Sequence, residues 1–290
     1  MKPTTHGDRL SFYQFGATTM FASRFDQRFS YCLYVPESYD EHTPGDYSLI
    51  VAIHGTGRDA PRLRNEFIEF AEAEQCFVLV PLFPAGISTP GELNAYKYLA
   101  GDDARYDLVL LDMVAELEET YRLNFDRFFL TGFSGGGHFT HRFLYVHPER
   151  LSGVSIVSPG VVTLCDPDLP WPAGVGGLED EFGRSFNAAA VAAVPANLVV
   201  GDDDTETWEI SVAPDSTAYI PDVNAAGVTR ITRLRALAAS LEHNGNTVSV
   251  DLVPGVAHEG YHLLKPTFRA IRQVLHSDEP RSEGTTQVLS

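Results

Sequence analysis

The chain has 290 residues, 44% of them hydrophobic, so it can bury a full core, and we expect one large α/β domain. Its 39 acidic residues outnumber its 21 basic residues, and the net charge of −18 repels phosphate backbones and anionic membranes. We therefore expect no nucleic-acid partner and no membrane partner, and no apolar run has the length that a membrane span requires.

The cysteines and the first residues indicate the compartment. Cys32, Cys76 and Cys165 are few, odd in number and widely spaced, which predicts buried free thiols and argues against a disulfide framework or a thiolate metal site. The stretch MKPTTHGDRLSF contains no apolar segment of signal-peptide length. We therefore expect a cytoplasmic protein without a metal.

Short apolar runs alternate with amphipathic stretches along most of the chain. The segments 9–21 and 28–35 have β-forming patterns and predict an antiparallel edge. Six further strands are predicted at 49–53, 77–80, 128–132, 153–158, 197–201 and 247–253. Helices are predicted at 62–75, 104–121, 136–147, 227–243 and 264–276. This alternation is typical of a mostly parallel central sheet with helices on both faces.

In the predicted helix 104–121, apolar residues recur at spacings of three and four and predict one buried stripe. The stripe consists of Leu108, Leu111, Val114 and Leu117. The solvated side carries Glu116, Glu118 and Glu119.

Two long stretches, 158–195 and 204–224, interrupt the alternation of strands and helices. Each contains proline and a tryptophan, and loops of this length are usually lids, binding loops or disordered segments. We therefore predict a single domain over residues 1–276 with two insert loops. The polar residues 277–290 predict a flexible tail.

A serine lies among glycines in the segment FFLTGFSGGGHFTHRF, residues 128–143. Gly132, Ser134 and Gly136 fit the pattern G-x-S-x-G, directly after a predicted strand and directly before a predicted helix. In such a turn the serine backbone is strained, and the glycines two residues away avoid collisions where strand and helix converge. The context predicts that Ser134 is a nucleophile at the carboxyl edge of the sheet.

A serine hydroxyl is a weak nucleophile at neutral pH, so this prediction requires a base and an acid later in the chain. His258 follows the last predicted strand, and we assign it as the base, with His262 as the competing candidate. Three consecutive aspartates follow Gly201. We assign Asp204 as the acid, because the third residue past Gly201 has turned far enough to face the site, and we keep Asp202 as the alternative.

The motif HGTG, residues 54–57, follows the first long strand and predicts an oxyanion hole. We expect its two donors to be the backbone N–H groups of Thr56 and Gly135, and we expect His54 to be structural. We call the turn from Gly132 to Gly136 the elbow. The helix after the elbow carries three more histidines, which we expect to pack or to lie at the surface and not to bind a metal. They are His138, His141 and His147.

With these motifs the chain resembles the α/β-hydrolase superfamily, in particular its esterase, feruloyl-esterase and polyhydroxybutyrate-depolymerase-like group. The matching segments cover most of residues 28–265 and include YCLYVPESYD, LIVAIHGTG, the block from DDARYD to IVSP, VVGDDDTET and PGVAHEG. The resemblance implies the α/β-hydrolase fold, a triad of Ser134, Asp204 and His258, and acyl transfer to water without a cofactor. Residues 158–224 match nothing in the group, and we expect them to form the substrate pocket.

The function expected from these features is hydrolysis of a small-molecule carboxylic ester through an acyl-enzyme on Ser134. Four aromatic residues are candidates for an apolar substrate pocket, namely Phe133, Phe83, Trp171 and Trp208. A serine peptidase or amidase, a lactonase or a thioesterase would use the same triad. A binding protein on a hydrolase fold that has lost turnover is a further alternative, and the sequence leaves a homodimer open.

Overall fold

The structure is a computed structural model and describes residues 9–208, 210–216 and 219–277. Within those ranges the strands are β1 (Gly16–Ala17), β2 (Phe21–Ala22), β3 (Ser30–Val35), β4 (Ser48–Ile53), β5 (Cys76–Leu82), β6 (Ala100–Gly101), β7 (Ala104–Arg105), β8 (Phe128–Phe133), β9 (Leu151–Val157), β10 (Ala196–Gly201) and β11 (Val248–Val253). The helices are α1 (Ala60–Glu66), α2 (Ile68–Glu74), α3 (Tyr106–Tyr121), α4 (Gly135–Val146), α5 (Leu178–Phe182), α6 (Ala188–Ala192), α7 (Arg230–Asn244) and α8 (Leu264–Leu275).

The central sheet has the strand order β1-β3-β5-β4-β8-β9-β10-β11, with β2 also paired to β3. Neighbours from β5 to β11 run parallel, whereas β3 is antiparallel to β5 and to the short strands β1 and β2. This confirms the predicted parallel sheet with an antiparallel N-terminal edge. Ile53 pairs with Gly132 and Gly201 pairs with Val253, so the loops after β4, β8, β10 and β11 meet at one edge of the sheet.

Helices cover both faces of the sheet, as predicted. On one face α1, α2 and α8 pack through apolar side chains that include Phe67, Phe70 and Ile271. On the other face α3, α4 and α7 pack in a larger cluster that includes Phe139 and Leu237. Burial of these continuous apolar surfaces is the main stabilising contribution to such a layered fold.

The predicted helix at 62–75 is divided into α1 and α2. The division lies at Phe67, whose backbone N–H donates to the carbonyl of Arg64 in a tight turn. The Phe67 ring is fully buried and lies edge-on to Phe268 of α8, with 5.0 Å between ring centroids. A tertiary contact therefore determines where the helix ends, and the local pattern of apolar residues did not show it.

The buried face of α3 matches the predicted stripe in part, since Val114 and Leu117 are buried and Leu111 is half-buried. Leu108 is 40% exposed, whereas Glu116, predicted to be solvated, is only 7% exposed. The Glu116 carboxylate accepts hydrogen bonds from the Ser23 hydroxyl, the Arg24 N–H and the Tyr31 hydroxyl. The prediction was wrong for Leu108 and Glu116, because α3 has apolar residues on more than one face and polar partners from the N-terminal segment make burial of a carboxylate acceptable.

The first insert, 158–195, contains α5 and α6 and packs into the larger cluster through Val162, Leu178, Phe182 and Val191. The second insert is described except for residues 209, 217 and 218. The predicted tail lies, apart from Ser277, outside the described residues, as do residues 1–8 of the predicted domain.

The three cysteines are buried and free, as predicted. Burial raises the pKa of Cys32 to about 11 and the pKa values of Cys76 and Cys165 to about 12. These thiols are therefore protonated and unreactive at neutral pH. In the described part of the chain, no helix is both long and apolar enough to span a bilayer.

Candidate active site

Ser134 occupies the turn between β8 and α4. Its backbone has φ 54° and ψ −110°, a strained conformation for a residue with a side chain, and its N–H donates to the Val157 carbonyl at 2.8 Å. A side chain on Gly132 would collide with the backbone of Gly136, and a side chain on Gly136 would collide with the carbonyl of Ile53. The glycines therefore allow β4, β8 and α4 to converge beneath the serine, which is the steric requirement expected from the motif.

The structure brings His258 and Asp204 to Ser134. His258 Nε2 lies 3.0 Å from Ser134 Oγ, and His258 Nδ1 lies 2.7 Å from Asp204 Oδ2. The Asp204 side chain is fully buried, whereas 24% of the His258 side chain is exposed. The three side chains form one chain of hydrogen bonds from a buried carboxylate to a hydroxyl.

The two competing candidates lie outside this chain of hydrogen bonds. Asp202 accepts the backbone N–H of Gly255 at 2.7 Å and so stabilises the turn after β11. His262 is paired with Glu259 at 2.9 Å, and 66% of its side chain is exposed. The contacts of Asp202 and His262 therefore lie in surface turns and not in the triad.

Asp204 is held in its ionised form. Burial raises its pKa, but the hydrogen bond from His258 and the Arg230 guanidinium outweigh burial, so the pKa lies below its usual value. Arg230 Nη1 donates to Asp204 Oδ1 at 3.0 Å. Arg230 was not predicted as a site residue, although the sequence carries a signal: it is the first residue of α7, where the helix dipole disfavours a cation.

Thr56 and Gly135, the predicted oxyanion donors, both line a cavity that contains Ser134. Among the described residues, neither backbone N–H donates a hydrogen bond within the chain. The loop is fixed by Arg58, whose Nη1 donates to the Thr56 carbonyl at 2.7 Å and whose Nε donates to the Phe83 carbonyl at 2.8 Å. Both amides are therefore available to an oxygen atom of a ligand.

A short 3₁₀ turn, Ala95–Tyr98, packs against the elbow and was not anticipated from the sequence. A side chain on Gly135 would collide with the Tyr96 hydroxyl. Tyr96 is 1% exposed, and its hydroxyl donates to the His54 carbonyl at 3.4 Å. Burial raises the pKa of Tyr96, so its hydroxyl is protonated over the physiological range.

Two of the remaining histidines are structural. His54 Nε2 accepts the Phe83 N–H at 3.0 Å, and burial lowers the pKa of His54 to about 4, so it is neutral. His147 is buried and its Nε2 lies 2.8 Å from Asp107 at the start of α3. No cluster of three or more potential metal ligands occurs in residues 9–208, 210–216 and 219–277.

The other two histidines fasten the first insert to α4. His138 Nε2 accepts the backbone N–H groups of Gly160 and Val161, and His141 Nε2 accepts that of Thr163. Burial lowers the pKa values of both histidines well below the usual range, so both are neutral. Both side chains therefore pack within the fold, which is one of the two outcomes expected for them, and His138 also lines the cavity beside Ser134.

The cavity has a volume of about 570 Å³. Of the four aromatic candidates, Phe133 and Trp208 line it, and Trp208 is 74% exposed. Phe83 is not in the cavity wall, because it is fully buried beneath it and stacks on Phe139. Trp171 is also absent from the wall, because its ring lies edge-on to Phe182 inside the first insert.

Comparison with known proteins agrees with this architecture. Neither models of protein families nor curated protein sequences match the chain. Among solved structures, a poly(aspartic acid) hydrolase from Sphingomonas sp. KT-1 is 21% identical with a TM-score of 0.70, covering 90% of this chain and 98% of that chain. A poly(3-hydroxybutyrate) depolymerase from Bordetella parapertussis is 19% identical with a TM-score of 0.68, covering 91% of each chain.

An S-formylglutathione hydrolase from Agrobacterium tumefaciens is 15% identical with a TM-score of 0.58, covering 93% of this chain and 98% of that chain. The likeness extends over almost the whole length of each of these three neighbours. The strand order, the helices on both faces and these neighbours together show that the chain has the α/β-hydrolase fold.

Proposed function

We propose that the protein is a serine hydrolase that cleaves carboxylic esters through an acyl-enzyme on Ser134. The observation that carries the proposal is the continuous chain of hydrogen bonds from Asp204 through His258 to the Ser134 hydroxyl. In this arrangement a neutral imidazole can accept the serine proton, and a buried carboxylate stabilises the imidazolium that results.

The first half of the reaction forms the acyl-enzyme. Ser134 Oγ attacks the ester carbonyl carbon while His258 Nε2 takes the hydroxyl proton, and the carbonyl oxygen becomes an oxyanion. The amides of Thr56 and Gly135 donate to that oxyanion, aided by the dipole at the start of α4. The intermediate collapses when the carbon–oxygen bond to the alcohol breaks and His258 gives its proton to the leaving oxygen.

The second half releases the acid. His258 takes a proton from a water molecule, which attacks the acyl carbonyl and forms a second tetrahedral intermediate. Cleavage of the bond to Ser134 Oγ, with return of the proton from His258, yields the carboxylic acid and the free enzyme. Every step uses residues of this chain.

The cavity wall favours a substrate with an apolar or aromatic portion. Phe133 and Trp208 contribute aromatic surface, and Leu63 and Leu264 contribute aliphatic surface. The names of two neighbours bear on the type of bond, since poly(3-hydroxybutyrate) is a polyester and S-formylglutathione is a thioester. We therefore place a small-molecule ester first and a thioester as a close variant on the same triad.

Hydrolysis of an amide in an acidic substrate is a second candidate. The cavity wall contains the cationic residues Arg58, Lys97 and Arg230, the last of which pairs with Asp204, whereas Asp59 is its acidic residue among those described. Cations are notable in a chain with a net charge of −18, and they would attract an anionic substrate. The neighbour named as a poly(aspartic acid) hydrolase acts on such a polymer.

The test compares the wild type with Ser134→Ala on p-nitrophenyl esters of increasing acyl length, the matching p-nitroanilides, and poly(aspartic acid). We expect ester turnover that falls about 10³-fold or more in Ser134→Ala, in line with the loss of a nucleophile. Covalent labelling by a fluorophosphonate should likewise require Ser134. Turnover of anilides or poly(aspartic acid) above that of esters would favour the second candidate.

Ser158→Ala is the matched control. Ser158 lies directly after the neighbouring strand β9, is buried and has φ 45°, but it does not line the cavity. Its loss should leave ester turnover and labelling near wild type. Equal activity of the wild type and Ser134→Ala would overturn the proposal.

A further inference from the structure

Arg230 is the nearest cation to the proposed triad. Its Nη1 lies 3.0 Å from Asp204 Oδ1, while Asp204 Oδ2 accepts the Nδ1–H of His258 at 2.7 Å. The Arg230 side chain is 5% exposed and the Asp204 side chain is fully buried. Each oxygen of the carboxylate thus has its own donor, and the two donors together fix the plane of the carboxylate.

Helix formation does not explain an arginine at this position. Arg230 is the first residue of α7, and a cation in the first turn is disfavoured by the helix dipole. Its burial adds a desolvation cost that a close anionic partner offsets. The carboxylate of Asp204 is such a partner, so contact with the site favours an arginine at a position where the helix dipole does not.

A second arginine on the same helix provides the contrast. Arg233 is 1% exposed, and its guanidinium donates to the carbonyls of Gly227, Gly160 and Ile210. It therefore joins α7 to both inserts through neutral acceptors. Arg233 does the structural work that a buried arginine can do, and it has no hydrogen bond to Asp204.

We propose that Arg230 is a positioning residue of this site, which orients Asp204 toward His258 and offsets part of the negative charge of that carboxylate. The inference rests on the proposed function. A carboxylate alone stabilises the imidazolium strongly, and a cation on its other oxygen offsets part of that stabilisation.

Other charged and titratable groups lie near the triad. Among the described residues, those that line the same cavity are His54, Arg58, Asp59, Lys97, His138 and Tyr261, and those next to the triad residues or Arg230 in the chain are Asp202, Asp203, Glu259 and Arg233. Asp202 and Glu259 have partners in the surface turns after β11, and His138 is neutral. Within the described ranges, His258 and Arg230 are the side chains hydrogen-bonded to Asp204.

The experiment measures the pH dependence of kcat/KM for a p-nitrophenyl ester in the wild type, Arg230→Met, Arg230→Lys and Arg233→Met. In Arg230→Met we expect kcat to fall about tenfold with KM within about twofold, because the carboxylate is less well oriented. The fall of kcat/KM on the acid side of the pH profile, here called the acid limb, should move to higher pH by roughly half to one unit, because a cation beside the carboxylate is lost. In Arg230→Lys the acid limb should return to its wild-type position, because the positive charge is kept. Its kcat should stay below that of the wild type, because lysine lacks the planar guanidinium.

Arg233→Met is the matched control and should lower the melting temperature without moving the acid limb. Coincident limbs for Arg230→Met and the wild type, or equal movement in Arg233→Met, would show a merely structural role. If Arg230→Met does not fold, Arg230→Gln and Arg230→Lys give the same comparison of charge.

A second readout does not require turnover. NMR titration of the histidine ring protons, with the His258 signal assigned from a His258→Gln variant, follows protonation directly in the wild type and in Arg230→Gln. The His258 transition should lie at higher pH in Arg230→Gln. If the His258 transition moves in this way but the wild type turns over no ester, the proposed function is refuted and the inference about Arg230 stands. If the transition does not move, the inference about Arg230 is overturned.

Discussion

At the level of single residues, the space beside the Gly135 amide is already occupied. The Tyr96 hydroxyl lies where a side chain on residue 135 would have to be, and the Lys97 side chain also lies close. Gly135 is therefore required by its surroundings and not only by the convergence of strand and helix. The proposed oxyanion donor is thus held between the elbow and a turn some forty residues earlier in the chain.

We predict that Gly135→Ala lowers kcat for a p-nitrophenyl ester by about 10²-fold or more, because relief of the collision displaces the amide from the oxyanion. The double variant Gly135→Ala/Tyr96→Phe removes the colliding hydroxyl and should recover part of that loss. Tyr96→Phe alone is the control. Wild-type activity in Gly135→Ala would contradict the arrangement described for this turn.

At the level of elements, helices α3 and α4 are joined by a buried charge cluster. Asp107 at the start of α3 is fully buried and accepts from Arg105, and His147 at the end of α4 lies 2.8 Å from its Oδ2. Burial raises the pKa of Asp107, but the hydrogen bonds from His147 and Arg105 outweigh it, and the pKa lies below its usual value.

We predict that Asp107→Asn lowers the free energy of unfolding by about 3 kcal/mol at pH 7, because the half-buried Arg105 and the buried His147 lose their carboxylate partner. The stabilisation from a lowered carboxyl pKa is present above the unfolded-state value and is lost as pH falls through the folded value. The difference between Asp107→Asn and the wild type should therefore shrink below about pH 4 in denaturant titrations.

Asp112 on the same helix has the opposite shift, and Asp112→Asn is the control. Burial and the nearby Glu116 raise the pKa of Asp112 above its usual value. Removing its charge should leave the free energy of unfolding at pH 7 unchanged or slightly higher. A similar loss in both variants would show that the cluster around Asp107 has no special role.

At the level of the whole molecule, the three buried thiols report on cooperativity. Cys32 and Cys76 lie on neighbouring strands of the sheet, whereas Cys165 lies in the first insert. Because burial raises the pKa values of all three, they should be unreactive in the folded protein even at mildly alkaline pH.

We predict that Ellman's reagent at pH 8 labels none of the 3 cysteines in the native protein and all of them in guanidinium chloride. Labelling should follow a single transition that coincides with the loss of helical circular dichroism, because the insert shares the apolar cluster of the sheet. Earlier labelling of Cys165 than of Cys76 would instead show that the insert opens independently.

The sequence by itself determined the features that depend on near neighbours in the chain. Continuous apolar runs located the six main strands, and the glycines around Ser134 showed a sharp turn between strand and helix. The position of His258 after the last strand followed from the same pattern. These predictions succeed because strand formation and backbone collisions are decided within a few residues.

Only the tertiary structure decided between candidates that look alike locally. It placed Asp204 and not Asp202 against His258, brought Arg230 to the same carboxylate, and showed that Phe83 and Trp171 lie outside the cavity. Ser134 and His258 are 124 residues apart in the chain. Which side chains meet over such separations depends on how strands and helices pack, and local patterns of polarity do not specify that packing.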